Sequence, residues 1–152
     1  MKLSNSLRIV LILILGAFLI SVRAFENNWF YDPFITHFKQ ENYLLTVPKF
    51  DFIKLFLHLL FRYFINSFAS VLILWLIFDA QIVRFLTLLY LLFALLLFPI
   101  YMVLVNFYLP DTYTLFFYVR RFLIQPILLF VLIPAIFYGR KTDKINTFTT
   151  KK

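Results

Sequence analysis

Cysteine is absent from the 152-residue chain, which excludes disulfides, thiolate metal centres and a cysteine nucleophile. Glycine is nearly absent: Gly16 and Gly139 lie at distant points, so no glycine-rich phosphate loop can be built. His37 and His58 are too far apart in sequence to form a local ligand pair, and neither a metal nor another cofactor is expected. Acids are scarce as well, with 7 Asp and Glu against 15 Lys and Arg. Such an excess can point to nucleic acid, but the chain has no compact basic fold or aromatic RNA-binding motif to present it. Basic flanks of membrane spans account for the charge, and no nucleic-acid partner is expected.

What is abundant is apolar. With 63% hydrophobic and 22% aromatic residues, the chain has too little polar surface for a soluble domain. The reading is an all-α integral membrane protein with four transmembrane helices, at about 7–24, 60–78, 85–106 and 115–138, and an extracytoplasmic interfacial segment between the first and second. No internal repeat or second domain is visible, so residues 1–152 form a single membrane domain.

The first span follows Lys2 and Arg8, which place the N-terminus in the cytoplasm. Val22 and Ala24 would satisfy a small-residue cleavage rule. Arg23 directly before that cut, and the aromatic stretch after it, favour an uncleaved anchor. Residues 25–59 mix acids with aromatics, among them Glu26, Trp29, Phe30, Tyr31 and Asp32; the rings suit a headgroup region better than a free loop. Residues 52–78 are apolar enough for one continuous helix, about 40 Å long at 1.5 Å per residue, so its first turns lie outside the roughly 30 Å hydrocarbon core. Residues 79–84 read as a short turn, and Pro99 as a kink in the third span. The polar tail, 139–152, carries Arg140, Lys141, Lys144, Lys151 and Lys152 with one acid, Asp143. It is cytoplasmic by its positive charge, which with a cytoplasmic N-terminus demands an even number of spans.

Three polar features interrupt the apolar runs. Arg120, Arg121 and Gln125 are the strongly polar side chains of the fourth span. On a helix Tyr118, Arg121 and Gln125 share a face, and Pro126 leaves the carbonyl of Phe122 without its usual donor. Lys54, His58, Arg62, Asn66 and Ser70 recur every four residues along the second span, where Arg62 can snorkel and Asn66 suits a helix–helix hydrogen bond. Glu26, Asp32 and Asp111 fall at the same outer leaflet as Arg62 and the Arg120–Arg121 pair. A guanidinium in hydrocarbon costs about 2.5–3.5 kcal/mol on insertion scales, so a polar cluster is expected there. In it Asp32 or Glu26 neutralises one arginine, and another is left for an external anion such as a phospholipid or a substrate carboxylate. Membrane lipids are expected neighbours in any case.

The motifs Arg23-Ala-Phe-Glu26, Phe30-Tyr-Asp-Pro-Phe34 and Phe61-Arg-Tyr63 with Asn66, together with Phe117-Tyr-Val-Arg-Arg-Phe-Leu-Ile-Gln-Pro126, resemble the exosortase F system-associated proteins. These are small multi-pass membrane proteins of Gram-negative bacteria encoded beside an exosortase. The resemblance covers nearly the whole chain, and its last motif is the most specific. It implies a cytoplasmic-membrane accessory of a protein-sorting system, with the exosortase as its partner. The exosortase cleaves sorting tails with a cysteine, so this cysteine-free chain is not that transpeptidase. A second reading is a small membrane enzyme or lipid-binding protein that clamps an anionic headgroup with Arg62, Arg120 and Arg121. A holin-like or channel oligomer is a third, disfavoured by the absence of a continuous polar face.

Overall fold

The protein is described by a computed structural model covering residues 4–40, 46–109 and 111–149, and every regular element among them is helical. Lys2, Pro110, Lys151 and Lys152 lie outside the described residues, as do the side chains of Lys141, Asp143 and Lys144. Helix α1 spans Asn5–Ala24, capped by Ser4, whose Oγ accepts from the Leu7 N–H at 3.3 Å. Two short helices follow, α2 (Glu26–Trp29) and α3 (Pro33–His37). Asp32 caps α3 through the Phe34 N–H at 3.2 Å, and Pro33 occupies the first turn, where its missing N–H costs nothing.

Helix α4, Phe52–Ile77, begins where Asp51 accepts from the Lys54 N–H at 3.1 Å. Its 26 residues measure about 39 Å, so the expected long second helix is present. It is also the hub, packing against α1, α5, α6 and α7. Helix α5, Ala80–Val103, continues through Pro99 and widens into a π-helical turn at Leu104–Tyr108. Helix α6 is Tyr113–Ile124 and α7 is Ile127–Thr149.

Three helical stretches are long and apolar enough to cross a bilayer, namely α1, α4 and Ala80–Phe107, and a fourth crossing results if α6 and the following 127–140 count as one span. The chain is thus an all-α membrane protein. Its exposed surface fits a lipid solvent: Leu88, Leu91, Leu92, Leu95 and Leu96 of α5 all face outward, where a water-soluble fold would bury them.

Several expectations need correction. The fourth span is not one helix to 138 but two, meeting at 70°. Gln125 adopts an extended backbone (φ −112°, ψ 144°), because the ring of Pro126 disfavours the helical region for the residue before it. The 79–84 turn shrinks to Phe78 and Asp79, with α5 helical from Ala80. The tail does not part from the membrane helix at 139, since α7 stays helical to Thr149. Arg140 Nη2 bonds Asp79 Oδ2 at 2.6 Å, which ties α7 to the α4–α5 turn.

Two apolar cores result. One gathers α3, the first turns of α4, the end of α5 and α6 around Phe34, Leu55, Tyr101 and Phe116. The other joins α1, α4, α5 and α7 around Leu19, Leu74, Leu86 and Leu129. Charged groups concentrate beside the first core.

Candidate functional site

Residues 25–38 do not simply lie on the bundle. Phe34 is fully buried, its ring centroid 4.7 Å from that of Phe116, and it also meets Phe38 and Phe50. Aromatic contacts of this kind add about 0.5–1.5 kcal/mol each beyond the area they bury. Three polar ties from the start of α4 hold the same segment. The Tyr31 N–H donates to His58 Nδ1 at 3.2 Å, and the Asp51 N–H donates to the Tyr31 hydroxyl at 3.2 Å. Lys54 Nζ stands 4.6 Å from the Tyr31 ring centroid. Further along, the Tyr113 hydroxyl lies 3.2 Å from His37 Nε2 and donates to the Thr46 carbonyl.

This anchoring carries two acids into the interior. Glu26, the first residue of α2, accepts from Arg23 Nη1 at 2.7 Å and from Arg62 Nη2, both on the same oxygen, Oε2. Asp32 uses Oδ1 for the α3 cap and Oδ2 for Arg120, which donates through Nε at 3.2 Å and through Nη2. Arg62 is 1% exposed and Arg120 6%. Each guanidinium also faces a ring, Arg62 Cζ lying 5.4 Å from the Phe30 centroid and Arg120 Cζ 5.8 Å from that of Phe38. Asp32 and Arg62 line one small cavity with Phe30 and His58, so the two pairs lie side by side as one network. Arg62 and Arg120 balance Glu26 and Asp32 in charge, and Arg23 on the same Glu26 oxygen adds one positive charge.

The network is tight but not saturated. Arg62 Nε and Nη1 are buried and make no hydrogen bond among the described residues. Donors left in this way weaken the pair relative to a fully satisfied one. Arg62 stands ten residues into α4, about 15 Å along its axis, and the stripe it belongs to sinks steadily: Lys54 is exposed, His58 half-buried, and Arg62, Asn66 and Ser70 buried.

The structure brings Glu26 to Arg62 and Asp32 to Arg120, with assignments that differ from the expectation. Arg62 does not snorkel; it turns inward to Glu26. Both acids pair with buried arginines, Asp32 with Arg120 and Glu26 with Arg62, and Glu26 also takes the exposed Arg23. The arginine that stays outside is Arg121, which is exposed and donates from Nε to Gln125 Oε1 at 3.0 Å. Tyr118 is exposed beside it, and Asp111 is exposed too. Asn66 makes the expected interhelical bond, its Nδ2 donating to the Ile124 carbonyl at 2.8 Å. Where the Phe122 carbonyl was expected to be left over by Pro126, the carbonyl that Asn66 takes up is that of Ile124, at the end of α6. Ser70 in turn donates to the Asn66 carbonyl at 2.7 Å. Tyr31, Phe34 and Tyr113 were not foreseen as anchors; the one clue to them is the density of rings on both sides of the Asp32–Pro33 turn and at the start of α6.

The chain matches no protein-family model, no curated protein and no solved structure.

Chemically, the network ties Glu26 and Asp32 to α4 and α6. Both carboxylates are occupied by guanidinium donors, and both histidines are engaged with tyrosines or backbone. Among the described residues no three His, Asp or Glu side chains come together as a metal site. Ser70 Oγ donates to a backbone carbonyl, and among the described residues no hydrogen bond joins it to a base.

Proposed function

We propose that this protein is a non-catalytic accessory of an exosortase protein-sorting system in the bacterial cytoplasmic membrane, binding or positioning the exosortase or its substrate. The family resemblance supplies the setting. The observation that supports a non-catalytic role is the internal neutralisation of both deep arginines, Arg62 by Glu26 and Arg120 by Asp32. Groups committed in this way lock residues 25–38 onto α4 and α6 and are not available for proton transfer or for clamping a reacting anion. With both termini cytoplasmic, the locked segment and the adjoining α6 face the outside and present exposed Trp29, Tyr118 and Arg121 to a neighbour. Tyrosine, tryptophan and arginine are the residues that most often anchor protein contacts.

The test is copurification at native expression levels in mild detergent. Retention of the exosortase by tagged wild-type protein supports the reading. Clean separation of the two from membranes that contain both overturns it. The competing reading, an enzyme or lipid-binding protein working through Arg62, Arg120 and Arg121, requires two arginines that are already paired; a turnover assay with anionic-headgroup substrates that gives activity lost in Arg121→Gln would restore it.

A further inference from the structure

A cleft of about 430 Å³ opens beside the charge network, walled by α1, by α4 and by the α6–α7 break. It exists because Gln125 and Pro126 end α6 and send α7 away at 70°, so the chain cannot fill the corner that a straight helix would occupy. Its body is apolar, including Leu19, Ile20, Ile73 and Phe130, while Arg23 and Gln125 supply polar groups. From Gly16 to Arg23 along α1 the cleft spans about 10 Å of helix axis. We propose that this cleft holds an acyl chain of an anionic phospholipid, with the phosphate met by Arg23 and by the Arg121–Gln125 pair.

Charge, shape and setting support one occupant. Arg23 is half-exposed and shares Glu26, its acid partner among the described residues, with Arg62 on a single oxygen. Two guanidiniums on one carboxylate leave a net positive charge, and the exposed one of the two lines the cleft. Arg121 adds a second cation through Gln125, a cleft residue. An anion with its own apolar tail complements both parts, since guanidinium–phosphate contacts are strong and geometrically specific. A partner helix fits less well: one about 10 Å across with a 5.4 Å pitch occupies roughly 420 Å³ per turn, so this volume would take only a single turn. An acyl chain is slimmer and can run the length of the space. The volume also falls within the roughly 300–1,000 Å³ typical of small-ligand pockets. This inference is independent of the exosortase reading and stands or falls without it.

The experiment is native mass spectrometry of the full-length protein released from nanodiscs containing equal phosphatidylglycerol and phosphatidylcholine. The wild type is expected to retain phosphatidylglycerol at least tenfold over phosphatidylcholine. Arg23→Gln/Arg121→Gln should abolish that preference. A Cβ at Gly16 meets nothing within 4 Å, so Gly16→Phe should fill the cleft without displacing backbone and should eject either lipid; Ile20→Trp, at an exposed position of the same wall, gives a second blocking variant should the first fail to fold. Equal retention of both lipids by the wild type overturns the headgroup assignment. Undiminished phosphatidylglycerol on a folded blocking variant overturns the cleft assignment, and so does loss of a copurifying protein with lipid unchanged, which would make the occupant a helix.

Discussion

Removing the carboxylate from Glu26 should be among the most damaging single substitutions in this chain. Glu26→Gln keeps the side chain's shape but leaves the Arg62 guanidinium, 1% exposed, without its counter-charge. Deleting one member of a buried ion pair costs about 3–5 kcal/mol, mostly the penalty of the orphaned charge. Arg62 already has two unpaired donors, Nε and Nη1, and Glu26 retains 13% exposure, so the lower end, about 3 kcal/mol, is expected. At about 1.4 kcal/mol per decade, that lowers the folding equilibrium constant roughly a hundredfold. Arg62→Met in the Glu26→Gln background removes the stranded charge and should recover about 2 kcal/mol, since an apolar replacement for a buried pair is often nearly neutral. Arg23→Gln, which deletes only the exposed partner of the same carboxylate, should cost less than about 1 kcal/mol. Reversible unfolding in mixed micelles, run as a double-mutant cycle, reads all of these. If Glu26→Gln and Arg62→Met add to within about 0.5 kcal/mol, the two residues are uncoupled and the buried network is not what holds α2 to α4.

Other substitutions follow from the same geometry. Asn66→Leu should lower stability by about 1–2 kcal/mol in the same unfolding assay, because the bond to the Ile124 carbonyl is lost and that carbonyl is left buried at a helix end. Arg121→Gln should shift unfolding by no more than about 1 kcal/mol, since the exposed Arg121–Gln125 contact is solvated; a larger loss would mean that Arg121 is structural. Phe34→Ala should cost about 3–5 kcal/mol and raise protease cleavage within residues 25–38, because its ring fills the first core.

The apolar runs made the helical class and the long α4 legible, because hydrophobic length and the scarcity of glycine are local properties. The four-residue stripe through Arg62 and Asn66 also announced itself, and so did the grouping of Glu26, Asp32, Arg62 and Arg120 in outline. What stayed hidden were choices made between distant parts of the chain. Nothing near Glu26 in sequence says that it pairs with Arg62, or that Asp32 goes to Arg120, since an acid in an aromatic loop can reach either arginine. Pro126 signalled a fault in the last span, but a kink and a 70° break look alike in an apolar sequence; packing of α6 against α4 and α5 decides between them. The helical continuation past Gly139 was missed for a simpler reason. A polar composition was read as the end of a helix, when it marks at most the end of an apolar face.

Residues 25–38 are folded into the bundle and locked there by the two ion pairs. Because the chain lacks cysteine, Phe38→Cys/Phe117→Cys can be treated with a short bis-maleimide in native membranes without background reaction. The two rings stand 5.4 Å apart at their centroids and are less buried than Phe34 and Phe116. Efficient intramolecular cross-linking, sharply reduced when Asp32→Asn is added, is the predicted result. Two thiols that both react with a monofunctional maleimide yet never join, or joining that ignores Asp32→Asn, would contradict the account.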